Sequence, residues 1–460
     1  MAEFALPPQS FTPYPLTQIP LKDTITNAFT GKSVLSVRTP AVFIDRAIFS
    51  RNCAKMQETV KSWGTRFRAH VKSHKTTEGA RLQLQSTAGQ SSAVIVSTLM
   101  EAKQIIESGL VKEGVVDDIL YGLPVAPTKI ADIAEMSSTM AQLNSKAKFR
   151  LLVDNVQQVK ALAAFGNNIT WSIFIKVDHG GKRAGLPIGS ESLKDLIQLV
   201  LSTPSISLFG FYCHAGDSYA STSFQEASSF LTTEMQTVNA AGLLALSLMK
   251  DLGNTSRHQN PLVLSVGSTP TAHSASLIES PADALRAAVT GGELEIHAGN
   301  YPLCDLQQIH TGLVEPKDVS HRVLASVISY YPGRGENGTD EALCDAGGIS
   351  MSKDRGPSGG FGDVVPWDVD DTIGKRETDG SVTCEWRLGR CSQEHGILVK
   401  KRTGSSQGNE ACLNPGDHVW IIGQHACLTL AAHPWYYILD SSIQGGMDTI
   451  QDIWVSWKGW

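Results

Sequence analysis

The stretch WSIFIKVD, residues 171–178, joins aromatic and β-branched residues into a short apolar run that predicts a buried strand. Seven similar runs lie between about residues 67 and 300, and segments with helical apolar spacing separate them. This alternation predicts parallel strands joined by helices. The candidate strands are 67–72, 92–98, 117–123, 149–154, 171–178, 206–215, 262–267 and 294–299.

Eight strand–helix units predict a closed (β/α)8 barrel of the TIM type, with a doubly wound open sheet as the alternative. In a barrel, the active site lies at the carboxyl ends of the strands. Function is therefore expected at Lys72, Asp178–Arg183, Tyr212–Gly216 and Gly267–Thr269.

Beyond about residue 310, β-rich runs continue without long helices, which predicts a second, antiparallel β domain. The predicted division gives the barrel residues 36–308, and the β domain residues 1–35 and 309–460. Two units suit a chain of 460 residues. The Gly-, Pro- and Asp-rich stretch 355–383 reads as loops.

Composition indicates an ordinary globular protein, with 42% apolar and 18% charged residues. A net charge of −6 without a basic block argues against nucleic-acid binding and favours small-molecule partners. Neither a signal-peptide pattern nor an apolar run of about 18 residues occurs, so no membrane contact is expected. The eight scattered cysteines are expected to be reduced thiols in the cytoplasm.

Lys72 ends the first predicted barrel strand, where its amine would project toward the barrel mouth. A desolvated lysine there can form a Schiff base with an aldehyde cofactor. The plain alternative is that Lys72 and Lys75 are ordinary solvated lysines.

The segment RAHVKSHKT, residues 68–76, resembles the cofactor-lysine segment of eukaryotic D-serine dehydratases and D-threonine aldolases. These are fold-type III pyridoxal-phosphate enzymes related to alanine racemase. The similarity runs from TPAVFIDRAIFSRN, residues 39–52, into the C-terminal domain, with the motifs in the family's order. The resemblance implies that Lys72, and not Lys75, carries the cofactor.

Two further motifs extend the resemblance. DHGGKRAG, residues 178–185, implies that Arg183 contacts the cofactor's phenolic oxygen, whereas a surface ion pair is the alternative. GFYCHAGDSY, residues 210–219, implies that Tyr212 lies beside the pyridine nitrogen and that His214 lines the pocket. Hydrogen-bonded core residues are the alternative for this tyrosine and histidine.

The resemblance also implies a phosphate site. In LSVGSTPT, the residues Gly267, Ser268 and Thr269 offer backbone N–H groups and hydroxyls to an anion. EIHAGNY, residues 295–301, resembles a further family segment near the phosphate, which makes Asn300 and Tyr301 candidates.

In GQHACLT, residues 423–429, His425 and Cys427 are two apart on a predicted strand and would share one face. Imidazole with thiolate suits zinc, with positions left open for water or substrate. A buried histidine beside a buried cysteine is the alternative. Within the family, H-x-C is the dehydratase pattern, whereas the aldolases show H-x-D.

SQEHGIL, residues 392–398, resembles a family segment near the metal and makes His395 a candidate substrate-pocket residue. The chain also departs from the family, because Gln424 replaces the usual asparagine before the metal histidine. Residues 345–348 are not followed by the expected lysine, and the stretch after residue 355 is inserted.

The sequence thus predicts a cytoplasmic lyase that uses pyridoxal 5'-phosphate and Zn²⁺ to dehydrate D-serine, with D-threonine as a second substrate. Retro-aldol cleavage of D-threonine or 3-hydroxy-D-aspartate is the first alternative, and a non-catalytic cofactor-binding protein is the second. The resemblance further implies a homodimer.

Overall fold

The computed structural model describes residues 18–166, 169–253, 261–278, 289–357, 359–365, 374–376, 382–401 and 413–460, with only the backbone of 374–376 and 382–384. Its contacts define two units. The barrel unit contains Cys53–Tyr301 and Trp457–Trp460, and the β unit contains Ile19–Asn52 and Pro302–Ser456.

Strands and helices are numbered in chain order. The strands are β1 Ala41–Asp45, β2 Arg66–His70, β3 Ala93–Val96, β4 Asp118–Pro124, β5 Lys148–Val153, β6 Trp171–Asp178, β7 Leu186–Pro187, β8 Ile206–Tyr212, β9 Val263–Val266, β10 Glu293–Ala298, β11 His321–Tyr331, β12 Glu341–Cys344, β13 Gly362–Val365, β14 Gly374–Arg376, β15 Val382–Cys384, β16 Trp386–Cys391, β17 Gly396–Lys400, β18 His418–Gly423, β19 Trp435–Leu439 and β20 Asp452–Val455. The α-helices are α1 Lys22–Phe29, α2 Arg46–Trp63, α3 Thr77–Leu84, α4 Leu99–Glu107, α5 Ile130–Leu143, α6 Val156–Phe165, α7 Glu191–Ser202, α8 Phe224–Asp251, α9 Thr269–Ser276, α10 Leu306–His310, α11 Gly348–Met351 and α12 Ala426–Thr429.

The barrel unit is closed, as predicted. Its strands follow the order β5-β4-β3-β2-β10-β9-β8-β6, and β6 pairs again with β5. Neighbouring strands are parallel throughout. All eight predicted strands are present, which confirms the (β/α)8 barrel over the open sheet.

Six predicted strands end one to three residues earlier than expected, and those at β2 and β8 bear on predicted site residues. The first barrel strand, predicted to reach Lys72, ends at His70, because Val71–Ser73 form a 3-10 turn in which the His70 side chain accepts the backbone N–H of Lys72. The strand predicted to reach residue 215 ends at Tyr212. Both shortenings move predicted functional side chains from strands into the loops that follow them.

Six helices that follow barrel strands begin at a residue whose side chain accepts a backbone N–H, namely α3, α4, α6, α7, α8 and α9. Helix α5 begins without such a cap. In α7, the buried residues recur with helical spacing, and Ser190 caps its first turn. The helices α4, α6 and α8 lie on three segments whose apolar spacing predicted them. The buried residues of α7 are Leu193, Leu196, Ile197, Val200 and Leu201.

The barrel interior combines apolar packing with a buried ionic cluster. Arg68 has no exposed surface and donates to Asp118 at 2.6 Å and to Glu295 at 2.9 Å. Arg150 donates to the other oxygen of Asp118 at 2.7 Å. Buried charges are tolerated only when paired in this way. The cluster joins β2, β4, β5 and β10 below the strand ends.

The β unit is built on the sheet β12-β17-β16-β13-β18-β11-β1-β19-β20, in which β12 also pairs with β11. Antiparallel pairs dominate, and β1 with β19 is a parallel pair. The predicted antiparallel β domain is confirmed. Residues 36–52, which the sequence division gave to the barrel, include β1 and belong to the β unit by their contacts.

Six cysteines of the described chain, at 53, 213, 304, 344, 391 and 427, are free thiols. The side chains of Cys384 and Cys412, and much of the 355–383 insertion, lie outside the described residues. No α-helix of the described part has both the length and the apolar character needed to span a bilayer.

Candidate active site

A cavity of about 680 Å³, including the space open to solvent, lies at the carboxyl ends of the barrel strands. Barrel architecture places function at this end of the strands. Polar side chains from different strands converge on it. They include Lys72, Lys176, Arg183, Tyr212, His214 and Ser268.

Lys72 reaches the cavity from the 3-10 turn after β2. Its backbone N–H donates to Nδ1 of His70 at 3.4 Å, which ties the turn to the end of the strand. The second lysine of the motif, Lys75, instead pairs with the buried carboxylate of Glu101 at 3.0 Å. The motif therefore supplies one lysine to the cavity, and it is Lys72, the predicted one.

Three histidines, His70, His214 and His297, surround this region and also line the cavity. Burial is the main cause that lowers the pKa of each well below its usual range. Lys72 adds to the effect at His70 and His214. The three imidazoles are therefore neutral hydrogen-bonding groups near neutral pH.

His214 has a defined tautomer. Its Nδ1 lies 2.7 Å from the carbonyl oxygen of Gly267, and a carbonyl oxygen can only accept, so Nδ1 carries the proton. Nε2 of the neutral ring is then an acceptor. The prediction that His214 lines the pocket agrees with its position.

Tyr212 is stacked on His297, with ring centroids 4.2 Å apart and planes at 11°. The ammonium of Lys176 lies over the Tyr212 ring at 4.8 Å. Burial raises the pKa of Tyr212 above its usual value, so the phenol keeps its proton and can donate. The predicted partner of the cofactor ring is thus a neutral, fixed side chain.

Sequence reasoning missed Lys176 as a cavity residue. It lies within β6, only 8% exposed, and burial lowers its pKa. A lysine inside the apolar run WSIFIKVD was the available signal, since a buried ammonium needs a functional or electrostatic reason.

Arg183 lies in the loop after β6. Asp178 shapes this loop by accepting the backbone N–H groups of Gly180 and Lys182. A Cβ on Gly216 would stand 2.9 Å from the Arg183 guanidinium, so a larger residue there would displace the end of this side chain. Arg183 lines the cavity, which keeps it available to an anionic ligand oxygen.

The turn between β9 and α9 contains the residues predicted to bind the phosphate. Gly267 has φ of 141°, and a Cβ there would lie 2.1 Å from the carbonyl oxygen of His297, so only glycine fits. Ser268 caps α9 in a capping box with Thr271. Ser268 and Thr269 line the cavity at the helix N-terminus, where an anion is stabilised.

Glu234, on α8, stabilises this turn through hydrogen bonds. The sequence did not predict it as a site residue. Its Oε1 accepts the backbone N–H of Ala215 at 2.6 Å and that of Gly267 at 3.4 Å. Burial raises the pKa of Glu234 to about 8. Only tertiary structure brings this helical residue to the two strand ends.

Gly267, Asn300 and Tyr301 are not among the described residues that line the cavity. The backbone N–H of Asn300 donates to Thr269 Oγ1 at 3.0 Å, which links it to the turn. Tyr301 is 1% exposed and hydrogen-bonds to Cys53 and Gln83. A direct cofactor contact by these residues stays a prediction.

His425 and Cys427 do not lie on a strand, contrary to the prediction. Strand β18 ends at Gly423, His425 is the N-cap of α12, and Cys427 is in its first turn. The apolar run 418–430 changes from strand to helix at this point. The two side chains still hydrogen-bond to each other, through the turn geometry and not through strand alternation.

The carboxylate of Asp354 lies 2.9 Å from Nδ1 of His425. Burial alone would lower the pKa of His425, but Cys427, with Asp305 and Asp354, raises it to about 9. Metal-bound histidines commonly have such a carboxylate on the second ring nitrogen. The donor pair of imidazole and thiol fits zinc.

Within the described ranges, no group of three or more His, Cys, Asp and Glu side chains is arranged to hold a metal ion. Zinc binding by the pair His425 and Cys427 therefore stays a prediction. His395 is exposed on the turn between β16 and β17. Gln424 is 3% exposed and its amide donates to the carbonyl of Gly360 at 3.4 Å.

Two family models match the chain. "Alanine racemase, N-terminal domain" matches residues 44–287, which include strands β2 to β9. "Putative serine dehydratase domain" matches residues 320–439.

The chain is similar over nearly its whole length to two yeast proteins. D-serine dehydratase of Schizosaccharomyces pombe is 43% identical over 447 residues, which cover 95% of this chain and 96% of the relative. D-serine dehydratase of Saccharomyces cerevisiae is 33% identical over 456 residues, which cover 95% and 99%.

A solved structure with a similar fold is D-threo-3-hydroxyaspartate dehydratase from Delftia sp. HT23, with a TM-score of 0.70 at 28% identity over 93% of this chain and 100% of that chain. A cysteine-to-alanine variant of that dehydratase, solved in the metal-free form, has a TM-score of 0.71 at 28% identity and the same coverage.

Proposed function

This chain belongs to the D-serine dehydratase family, as its motifs predicted, and we propose that it eliminates water from D-serine. The released 2-aminoacrylate is then hydrolysed by water to pyruvate and ammonia. It is an enzyme, a pyridoxal-phosphate-dependent lyase with an alanine racemase-like barrel. The observation that carries the proposal is Lys72, which reaches a cavity lined by cationic side chains and a helix N-terminus.

The cavity fits pyridoxal phosphate. Ser268 and Thr269 would hold the phosphate at the N-terminus of α9, and Lys72 would hold the aldehyde carbon. Nε2 of His297 is buried, and within the described residues it has no hydrogen-bond partner, as expected of a site that a ligand completes.

Arg183 and Tyr212 would bind the ring of the cofactor, with Arg183 at the phenolic oxygen and Tyr212 beside the ring nitrogen. The guanidinium stays charged and directional, which suits a phenolate. The cofactor, when bound, supplies an electron sink for the charge left at Cα.

Lys72 is also the proposed base. Its amine, when not bound to the cofactor, would take the proton from Cα of the substrate. The neighbouring His70 and His214 are neutral, so they can hydrogen-bond in the site without adding positive charge. In this proposal the Lys72 amine is therefore the group that accepts the Cα proton.

His425 and Cys427 are the proposed zinc ligands, and Asp354 would orient the histidine. Zinc, when bound, would act as a Lewis acid on the β-hydroxyl, since hydroxide is otherwise a poor leaving group. The metal-free form of the Delftia variant supports a metal in that relative.

D-threonine is proposed as a second substrate, since it carries the same β-hydroxyl. His395, Asn300 and His214 remain candidates for the substrate pocket, and Tyr301 for cofactor binding. Cytoplasmic location and a homodimer stay predictions, drawn respectively from the composition and from the family resemblance.

The test is an assay of the purified, cofactor-loaded protein on D-serine and D-threonine, with and without a zinc chelator, and with products identified by mass spectrometry. Chelator-sensitive pyruvate or 2-oxobutyrate is the expected result. Glycine with acetaldehyde from D-threonine would identify an aldolase instead. No product from either substrate would reopen both the substrate and the non-catalytic alternatives.

A further inference from the structure

The stacked pair of Tyr212 and His297 is held from below by a buried hydrogen-bond chain. Nδ1 of His297 lies 3.0 Å from Ser265 Oγ, and Ser265 donates to Glu295 at 2.9 Å. Arg68 binds the same carboxylate through two N–H groups, at 2.9 and 3.2 Å. All four residues of this hydrogen-bond chain, from His297 to Arg68, are at most 2% exposed. The His297 imidazole therefore cannot turn without breaking buried hydrogen bonds.

The chain also fixes the proton of the imidazole. A carboxylate paired with Arg68 only accepts, so the hydroxyl hydrogen of Ser265 points to Glu295. Ser265 Oγ must then accept from Nδ1–H of His297. Burial, with His214 and Lys176, lowers the pKa of His297 well below its usual range, so Nε2 keeps its lone pair.

We propose that His297 is a positioning residue, which holds the ring of Tyr212 in the plane that receives the cofactor ring, and that Ser265 and Glu295 hold His297 in its Nδ1–H tautomer. Stacked rings restrict each other's rotation and attract at this separation. The role of the cofactor rests on the proposed function. The stack and the tautomer are properties of the protein alone.

The stack is tested by comparing His297→Phe with His297→Leu. Phenylalanine keeps a flat ring against Tyr212, whereas leucine does not. Both variants lose Nε2, so the contribution of the stack is given by the ratio of their affinities. Titration of the apoenzyme with pyridoxal phosphate, followed by visible absorbance, should give His297→Leu an affinity about fivefold weaker than that of His297→Phe. Equal affinities for all three proteins, or equal losses of affinity in both variants, would overturn the positioning role of His297.

The tautomer is tested without cofactor, by NMR of protein labelled with ¹⁵N-histidine. His297, assigned through His297→Phe, should carry its proton on Nδ1, and Ser265→Ala should give a mixture of tautomers. A proton on Nε2 in the unmodified protein would overturn the inference, even if His297→Leu failed to fold. Failure of the proposed function would give a different result, because the unmodified protein would then bind no cofactor through Lys72.

Discussion

The ammonium of Lys75 lies 3.0 Å from the carboxylate of Glu101, a residue with no exposed surface. Lys75 therefore forms an ion pair, although it is only three residues from Lys72. Two lysines of one motif thus have separate environments. This separation gives a direct test of which lysine binds the cofactor.

Replacing Lys72 by alanine should abolish covalent attachment of pyridoxal phosphate and lower turnover by roughly a thousandfold, because the carrier and the base are lost together. Borohydride reduction followed by peptide mass spectrometry should find the cofactor on Lys72. Lys75→Gln, which keeps a donor for Glu101, is the matched control and should retain the attachment. Cofactor mass on Lys75 would contradict the assignment.

Gly267→Ala should weaken pyridoxal-phosphate binding by tenfold or more, because its Cβ would stand 2.1 Å from the carbonyl oxygen of His297 and displace the phosphate turn. Affinity is measured by absorbance titration of the apoenzyme. Gly114→Ala is the control, since Gly114 also has positive φ, 74°, but nothing lies within 4 Å of its Cβ position. Equal cofactor affinity in both variants would refute the role of the turn.

The barrel was predictable because each strand is a self-contained apolar run and its neighbours follow in chain order. The strand ends predicted functional ranges that contain Lys72, Arg183, Tyr212 and Ser268, and the family resemblance supplied the role proposed for each. Strand ends were less predictable. At His70, the 3-10 turn depends on a side-chain cap, which apolar periodicity does not report.

Such patterns do not identify the other residues of the candidate site. Glu234 reaches the site only when α8 packs against two strand ends. His297 stood in a quoted motif, but its stack on Tyr212 depends on strands that are distant in sequence. The sequence predicted His425 and Cys427 as a pair, but the prediction that both lie on a strand was wrong. An apolar run does not distinguish a strand from a strand followed by a helix.

Glu234 should make stability fall as pH rises. Its pKa is about 8 in the folded protein against 4.5 for an ordinary glutamate, so the folded state binds the proton more tightly. The contribution of the neutral carboxyl is complete below about pH 4.5 and is lost between there and pH 8. Glu234→Gln should flatten this decline, measured as denaturant midpoints from pH 5 to 8. Parallel pH profiles for the two proteins would show that Glu234 is ionised in the fold.

Asp354→Asn should reduce zinc affinity by roughly tenfold to a hundredfold, because the carboxylate 2.9 Å from His425 Nδ1 orients the ring and raises its basicity. Zinc content after dialysis against graded chelator, measured by elemental analysis, gives the affinity. Turnover of D-serine should fall with zinc occupancy and return when zinc is added in excess, while the visible absorbance of the bound cofactor stays unchanged. Asp448→Asn, at an exposed aspartate of the same unit, is the control for the lost charge. Zinc retention by Asp354→Asn equal to that of the control would remove Asp354 from the site, and loss of the cofactor absorbance would show that the substitution disturbs more than the metal.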